Sequence, residues 1–391
     1  MVRCPWYVDE VVGRLEENGE RAFVVGGSLR DIVLGVEPHD YDVATSALPE
    51  RTAEIFKDKK VVATGIKHGT VTVILDGEAV EITTFRIDGE YSDARHPDSV
   101  EFTDDIIKDL SRRDFTVNAM AYSKSRGLVD PFDGQKDIAS GTIRAVRDPY
   151  LRFSEDALRI MRAFRFSAQL GFEIEENTLM GALATKEGLV RVARERIGNE
   201  FLRLITSAKP CRPLELMADG GIFEYVTDGY IPSKELIYKI ERLPASATER
   251  MALLLFDADK QTAKDILLGL RMSGKQITAT LATHSGAQMR VSTPEDARRL
   301  IAYTGIYAVS AARVSELLGV SPEGAADLTE RQLNTPCSVR ELKINGKDLA
   351  VLGLAGKDIG EMLVYLLERV IKDPTLNDRD TLLMLAKQLK G

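Results

Sequence analysis

Phe23-Val-Val-Gly-Gly-Ser-Leu-Arg-Asp31, followed by His39-Asp-Tyr-Asp-Val43, is the stretch whose reading decides the fold. Ala22 to Val25 is apolar, as in a buried strand, and Ser28 to Leu34 reads as a short helix stopped by Gly35. Gly26 and Gly27 lie between them, where two missing Cβ atoms let an anion approach the backbone. A helix N-terminus offers that anion free N–H groups and a positive dipole end, and Arg30 adds a cation. Ser28 is placed to cap the helix, with Asp31 three residues on in the manner of a capping box. Asp40 and Asp42 are two apart on a strand predicted over Tyr41 to Ala44, so their side chains share a face. Two bare carboxylates 4 Å apart repel by about 4 kcal/mol at an effective dielectric near 20, and a divalent cation removes that cost. Oxygen ligands suit Mg²⁺, which takes one or two carboxylates plus substrate phosphates. Glu81, on a strand predicted over Ala79 to Phe85, is a candidate third ligand. Singly, these features also fit a plain turn, a solvated strand face, and a Glu81–Arg86 ion pair. Their order and spacing, with Asp40 thirteen residues after Gly27, favour a metal-dependent phosphate site.

Working outward, 391 residues exceed one compact core and suggest two to four domains. Sixty acidic residues outnumber 52 basic ones, and 44% hydrophobic with 29% charged content describes an ordinary soluble globular protein. Disorder, collagen and a disulfide-dense scaffold are excluded. Apolar runs such as Met251 to Phe256 are far shorter than the roughly 18 residues of a membrane span, and no secretory signal is visible. Three scattered cysteines (Cys4, Cys211, Cys337) fit a reducing cytoplasm and argue against a cysteine metal site or a disulfide-linked partner. Helical and strand-like segments alternate over about the first 140 residues, including a helix over Val8 to Glu17 and a strand over Gly69 to Leu75. From about Asp148 helical spacing dominates, and residues 230–330 carry little further signal.

Two further blocks carry chemistry. In Arg112-Arg-Asp-Phe-Thr-Val-Asn-Ala-Met-Ala121, Asp114 can accept from a sugar hydroxyl, Arg113 can hold Asp114 or a phosphate, and Asn118 both donates and accepts. The same block also reads as a helix start, with Asp114 capping and Phe115, Val117, Ala119 and Met120 in the core. In Arg152-Phe-Ser-Glu-Asp-Ala-Leu-Arg159, Asp156 and Arg159 are three apart on a predicted helix and share a face. Cytosine and adenine each present an exocyclic amine beside a ring-nitrogen acceptor, which an Asp and an Arg can read; uracil and guanine present the reverse polarity. An intrahelical salt bridge is the plainer alternative, and a solvated basic stripe is the plainer view of Arg152, Arg162 and Arg165.

Gly26-Gly-Ser-Leu-Arg-Asp31 with Asp40-Tyr-Asp42 resembles the signature of the polymerase-β-like nucleotidyltransferases. More narrowly, it resembles the class II tRNA nucleotidyltransferases, the CCA-adding enzymes and bacterial poly(A) polymerases. The resemblance implies an α+β fold: a nucleotidyltransferase head with a mixed sheet and helices (1–140), then an all-α neck (141–205), body (206–330) and tail (331–391). It implies ribose recognition by the Arg113, Asp114, Asn118 block, an amino-acid template for CTP and ATP at Asp156 and Arg159, and triphosphate contacts from Arg152 and Arg162. Asp93-Ala-Arg95, in a polar loop predicted over Phe85 to Pro97, resembles the centre of the loop implied in the switch from C to A addition. Arg194 to Ile197 with Glu200 resembles a fifth block, which reads as structural ion pairs and caps. The tail implies docking of the tRNA elbow, with Lys343, Lys347 and Lys357 as phosphate contacts. The partners implied are tRNA, through acceptor stem and elbow, with CTP and ATP; no membrane is implied. The four histidines (His39, His68, His96, His284) form no HD-hydrolase constellation. The expected activity is CCA addition in the cytoplasm; an A-adding enzyme, a poly(A) polymerase and a non-catalytic RNA- or nucleotide-binding module are the rivals.

Overall fold

A computed structural model describes residues 3–62, 65, 69–89 and 100–390. The described chain divides into two compact units, Met1–Ile231 and Pro232–Gly391.

The first unit begins with α1 (Trp6–Glu17), whose Val8, Val11, Val12 and Leu15 recur at helical spacing and are all buried. Then come β1 (Ala22–Val25), α2 (Gly26–Val33), β2 (Asp42–Thr45), α3 (Pro49–Ile55), β3 (Lys60–Val62), β4 (Thr70–Leu75) and β5 (Glu78–Thr84). A two-stranded ribbon, β6 (Arg86–Asp88) with β7 (Val100–Phe102), leads to α4 (Ile106–Ser111), β8 (Ala121–Ser123), β9 (Gly127–Val129) and α5 (Gly134–Ser140). The main sheet runs β3-β4-β5-β2-β1-β8-β9, with β2 and β5 parallel and the other neighbours antiparallel. All four residues of β1 are buried, as expected of a strand near the middle. Phe23, Val25, Ala44, Phe85, Leu110, Ala119, Ala121 and Val146 form the core beneath it.

A short parallel pair, β10 (Thr142–Ile143) with β11 (Glu173–Ile174), brackets α6 (Pro149–Glu155) and α7 (Leu158–Leu170). The unit continues through α8 (Glu176–Ala184), α9 (Arg194–Ile205), α10 (Cys211–Asp219) and α11 (Phe223–Val226). Mixed sheet followed by helices is the α+β arrangement expected. Three local expectations are corrected. The strand carrying Asp42 starts at that residue rather than at Tyr41, because Tyr41 turns into the core after a bend at His39 and Asp40. Part of the segment predicted as loop is strand, since Arg86–Asp88 finds an antiparallel partner in Val100–Phe102, beyond the end of that segment. The Arg112 block starts no α-helix: α4 precedes it, only a 3₁₀ turn covers Thr116–Asn118, and Phe115, Val117, Ala119 and Met120 enter the core as expected.

The second unit is helical: α12 (Lys234–Lys239), α13 (Ala247–Leu254), α14 (Lys260–Gly269), α15 (Gly274–Ala287), α16 (Pro294–Thr304), α17 (Ala308–Leu317), α18 (Ala325–Gln332), α19 (Gly346–Val351), α20 (Lys357–Lys372) and α21 (Arg379–Lys390). Its middle packs through small residues. A methyl added at Gly286 would lie 2.8 Å from Ala311 Cβ and 2.6 Å from Thr304 Cγ2, so α15 and α17 meet almost backbone to backbone. Buried Arg298 donates from Nε to Ile371 O (2.6 Å) and from Nη2 to Lys372 O (3.1 Å), satisfying carbonyls at the end of α20. No helix among the described residues is long and apolar enough to cross a membrane.

Candidate active site

A cavity of about 750 Å³ opens in the first unit where the central strands β1, β2 and β5 meet α7 and α9. Its floor is built by the β1–α2 junction. Gly26 has φ +75° although it opens the helix, and an added Cβ would stand 3.1 Å from Arg113 Nη1 and 3.4 Å from Asp42 Oδ2. Conformation and space both select glycine. Gly26→Ala should therefore cost about 1–2 kcal/mol of unfolding free energy in chemical denaturation, from the left-handed backbone alone. Nucleotide incorporation should fall further than stability does, because the methyl pushes on Arg113 and Asp42.

The expected capping box does not form. Val25 precedes the first helical turn and no side chain caps it. Ser28 lies inside the helix, buried, and its Oγ donates to Val25 O at 2.9 Å. Asp31 instead accepts from Arg30 Nε (2.9 Å) and Nη2 (2.7 Å). The opening N–H groups of α2 are thus left to an incoming anion, while the Ser28 hydroxyl proton is spent within the helix.

Antiparallel pairing puts Asp42 opposite Val25, and parallel pairing puts it opposite Glu81. Asp40 and Asp42 are exposed toward the cavity while Tyr41 between them is buried, so the pleat alternation holds even though Asp40 precedes the strand. Burial pushes the Asp42 carboxyl above its usual range; Arg113 pulls it down, and Glu81 and Asp40 push it up again. A cluster of oxygen donors crowding one carboxylate in this way fits a hard divalent cation, and Asp40 and Asp42 are the residues that would hold it. Among the described residues no three His, Cys, Asp or Glu side chains already form a metal cage, so Glu81 stands beside this pair without closing a three-ligand set.

The ribose block is wired differently from expectation. Arg113 pairs with Asp109 (Nη2 to Oδ2, 3.3 Å), not with Asp114. Asp114 is buried and accepts from Arg162 Nε (2.7 Å), Asn118 Nδ2 (3.1 Å) and the Phe115 N–H (2.8 Å). Burial alone would raise its carboxyl; the Arg162 charge and the hydrogen bonds from Asn118 and Arg162 outweigh that and bring it down to about 2. Asn118 Oδ1 accepts from Arg30 Nη1 at 2.9 Å, which ties this block to α2.

The expectation of Asp156 and Arg159 on one helix is also corrected. Asp156 is extended (φ −138°, ψ 101°), ends α6, and accepts the Leu158 N–H at 3.0 Å, opening α7. Arg159 pairs with Glu155 Oε2 (2.7 Å), so the plainer Asp156–Arg159 salt bridge is absent as well. Arg159 also donates to Arg152 O (3.0 Å) and Arg112 O (3.1 Å), which leaves Nε and one Nη2 hydrogen without an acceptor among the described residues. Both Asp156 and Arg159 line the cavity. Arg152 does not; it is buried and donates to the same Glu155 Oε2 (2.8 Å) and Arg112 O (3.2 Å).

Some lining residues had only a plain structural reading in the sequence, and Arg203 was not singled out at all. Arg196 Nη2 faces Asp156 Oδ2 at 3.5 Å, and Arg165 Nε lies 2.6 Å from Glu200 Oε2, off hydrogen-bond geometry. Arg196, Glu200 and Arg203 are spaced four and three apart on α9, a helical periodicity that marks one face; the reading of Arg194 to Ile197 with Glu200 as structural ion pairs concealed that Arg196 reaches the cavity, as Arg203 does too. The described lining holds nine arginines against six carboxylates, so a chain of acidic total presents a locally cationic wall. Asp93 and Arg95 lie outside the described residues. Lys343, Lys347 and Lys357 are exposed in the second unit, with Lys357 Nζ 2.8 Å from Glu361 Oε1.

Known proteins resemble this chain over its whole length. Residues 22–144 match the family model of the poly(A) polymerase head domain, residues 171–230 the model described as "Probable RNA and SrmB- binding site of polymerase A", and residues 244–386 that of tRNA nucleotidyltransferase domain 2. The CCA-adding enzyme of Pediococcus pentosaceus is 38% identical over 387 residues, covering 97% of each chain. That of Ligilactobacillus salivarius is 36% identical, covering 97% of this chain and 95% of its own. The crystal structure of the Bacillus stearothermophilus CCA-adding enzyme in complex with CTP superposes with a TM-score of 0.85 at 29% identity, covering 99% of this chain and 98% of that one. The Thermotoga maritima enzyme complexed with tRNA shares the fold, with a TM-score of 0.72 at 23% identity over 98% of this chain and 95% of its own. With carboxylates at a strand start, a left-handed glycine beneath them, and full-length similarity on this scale, the chain belongs to the family of CCA-adding tRNA nucleotidyltransferases.

Proposed function

We propose that this chain adds C, C and A in turn to the 3′ end of tRNA, taking CTP and ATP and releasing pyrophosphate at each step. The observation that carries this is the meeting, in one arginine-lined cavity, of Asp40, Asp42 and Glu81 from the sheet with Asp156 and Arg159 from the α6–α7 junction. The tRNA 3′-hydroxyl attacks the α-phosphate in line, and the bond to pyrophosphate breaks. Asp40 and Asp42 would hold a divalent cation, which we assign as Mg²⁺, and bound there it would supply Lewis acidity and neutralise charge on the transferring group. The chain's own residues position the reactants. Gly26 and Gly27 admit the triphosphate to the opening N–H groups of α2, with Arg30 beside them. Arg162 is fixed by Asp114, which stays ionised far below neutral pH. Asp114 and Asn118 present an acceptor and a donor to the ribose, and Arg113 lies beside Asp42. Asp156 accepts from the base amine, while the uncommitted Arg159 N–H groups donate to the ring nitrogen.

The working division is a head over 1–140, neck over 141–205, body over 206–330 and tail over 331–391. Lys343, Lys347 and Lys357 of the tail contact the tRNA elbow, and Asp93 and Arg95 act in the change from C to A. A cytoplasmic location suits a tRNA-processing enzyme whose Cys4, Cys211 and Cys337 form no disulfide among the described residues.

A tRNA transcript ending at the discriminator base, given CTP, ATP or both, tests the reading. CTP alone should extend it by two residues, and both nucleotides by three. Extension only of a transcript already ending in CC indicates an A-adding enzyme. A long ladder with ATP alone indicates a poly(A) polymerase, and no extension under any condition indicates a binding module.

A further inference from the structure

We infer that Phe166 is a positioning residue for triphosphate capture: one ring that aims three guanidiniums into the cavity without consuming the N–H groups that bind phosphate. This rests on the nucleotidyltransferase reading above and adds a residue to it. Phe166 lies on α7, is 5% exposed, and lines the cavity. The guanidinium carbons of Arg165, Arg162 and Arg30 stand 3.8, 5.1 and 5.3 Å from its ring centroid, all within cation–π range. Phe115 meets the ring edge-to-face at 5.8 Å and 79°, a second aromatic contact that holds its orientation.

Each of these arginines also has a carboxylate: Asp31 for Arg30, Asp114 for Arg162, Glu200 for Arg165. A carboxylate holds a guanidinium through its N–H edge, the same edge a phosphate needs, and cancels its charge locally. An aromatic face holds the flat π surface instead and leaves both the edge and the formal charge in place. Three like charges in one cavity also repel; burial lowers Arg165, and Arg162 lowers it further. The electron-rich ring offsets that repulsion where a fourth carboxylate would compete with the substrate. Arg30 comes from α2, while Arg162 and Arg165 come from α7. The ring therefore registers the glycine-turn side of the cavity against the helical side.

The test compares Phe166→Leu, which keeps apolar bulk but loses the ring, with Phe166→Tyr, which keeps the ring. Steady-state incorporation on a tRNA transcript and calorimetric titration with CTP and ATP are the readouts, with thermal melts as control. Phe166→Leu should raise KM and Kd for both nucleotides on the order of tenfold, with kcat changed less than about twofold and the preference between CTP and ATP unchanged. Phe166→Tyr should restore wild-type values. Unchanged KM and Kd in Phe166→Leu, equal loss in both variants, or a loss confined to one nucleotide (the mark of base stacking) each overturns the proposal. Should Phe166→Leu fail to fold, Phe166→Met takes its place in the same comparison. A wild-type protein that binds triphosphates but incorporates none refutes the functional reading, while the titrations still decide the role of the ring.

Discussion

Asp42→Ala should reduce nucleotide incorporation by at least about 10³-fold while leaving tRNA binding within twofold of wild type. The reduction is the scale expected when a metal ligand at the reacting phosphate is lost, about 4 kcal/mol of transition-state stabilisation. Full-length tRNA binding, read by gel shift, depends on surface the substitution does not touch. The conservative Asp42→Asn carries a second expectation of opposite sign. Because the Asp42 carboxyl is raised, first by burial and then by Glu81 and Asp40, its contribution favours the native state at low pH. That contribution is lost as pH rises through the raised value, so the ionised group is a liability to the metal-free fold at neutral pH. Asp42→Asn should therefore melt higher than wild type at pH 7 without divalent ions. Adding magnesium should raise the wild-type melt and leave the variant where it was. A variant that melts lower, or gains equally from magnesium, contradicts the assignment.

The second large effect is expected at Asp156. Its Oδ1 accepts the Leu158 N–H and opens α7, so Asp156→Ala disturbs both the turn and the carboxylate. Asp156→Asn separates the two, since its amide oxygen can still accept that N–H while the side chain gains a donor where the base amine needs an acceptor. Preference for CTP and ATP over UTP and GTP should fall by roughly 10–100-fold in Asp156→Asn, the 1–3 kcal/mol typical of one bidentate base contact. The unfolding midpoint should stay near wild type. Parallel single-nucleotide reactions with the four triphosphates measure this directly; full rejection of UTP and GTP by an active variant would remove Asp156 from the reading of the base.

How much of this was legible in the sequence follows from how local each determinant is. Asp40 and Asp42 were readable because pleat alternation around Tyr41 is a property of three residues. The placement of Glu81 next to Asp42 depends on a parallel pairing of residues 39 apart in the chain, and no local pattern encodes that register. The helix break at Asp156 was missed because Glu155-Asp-Ala-Leu-Arg159 holds no Gly or Pro. The break comes from an Asp side chain competing for a backbone N–H, which Asp does readily. Partner choice among arginines was equally opaque: Arg113, Arg159 and Arg162 each had several carboxylates within chain distance, and packing selected Asp109, Glu155 and Asp114. The 230–330 segment was silent because its helices meet through glycine and alanine, as at Gly286 and Ala311, and small residues write no strong apolar stripe.

Every cation on the described wall of the cavity is an arginine; lysine is missing from it. Guanidinium groups do not undergo the acetylation that silences amines. Reagents that acylate amines would find no target among the described residues of that wall. Acylation of lysines elsewhere on the chain would leave the charge of these guanidiniums, and so their hold on a triphosphate, in place.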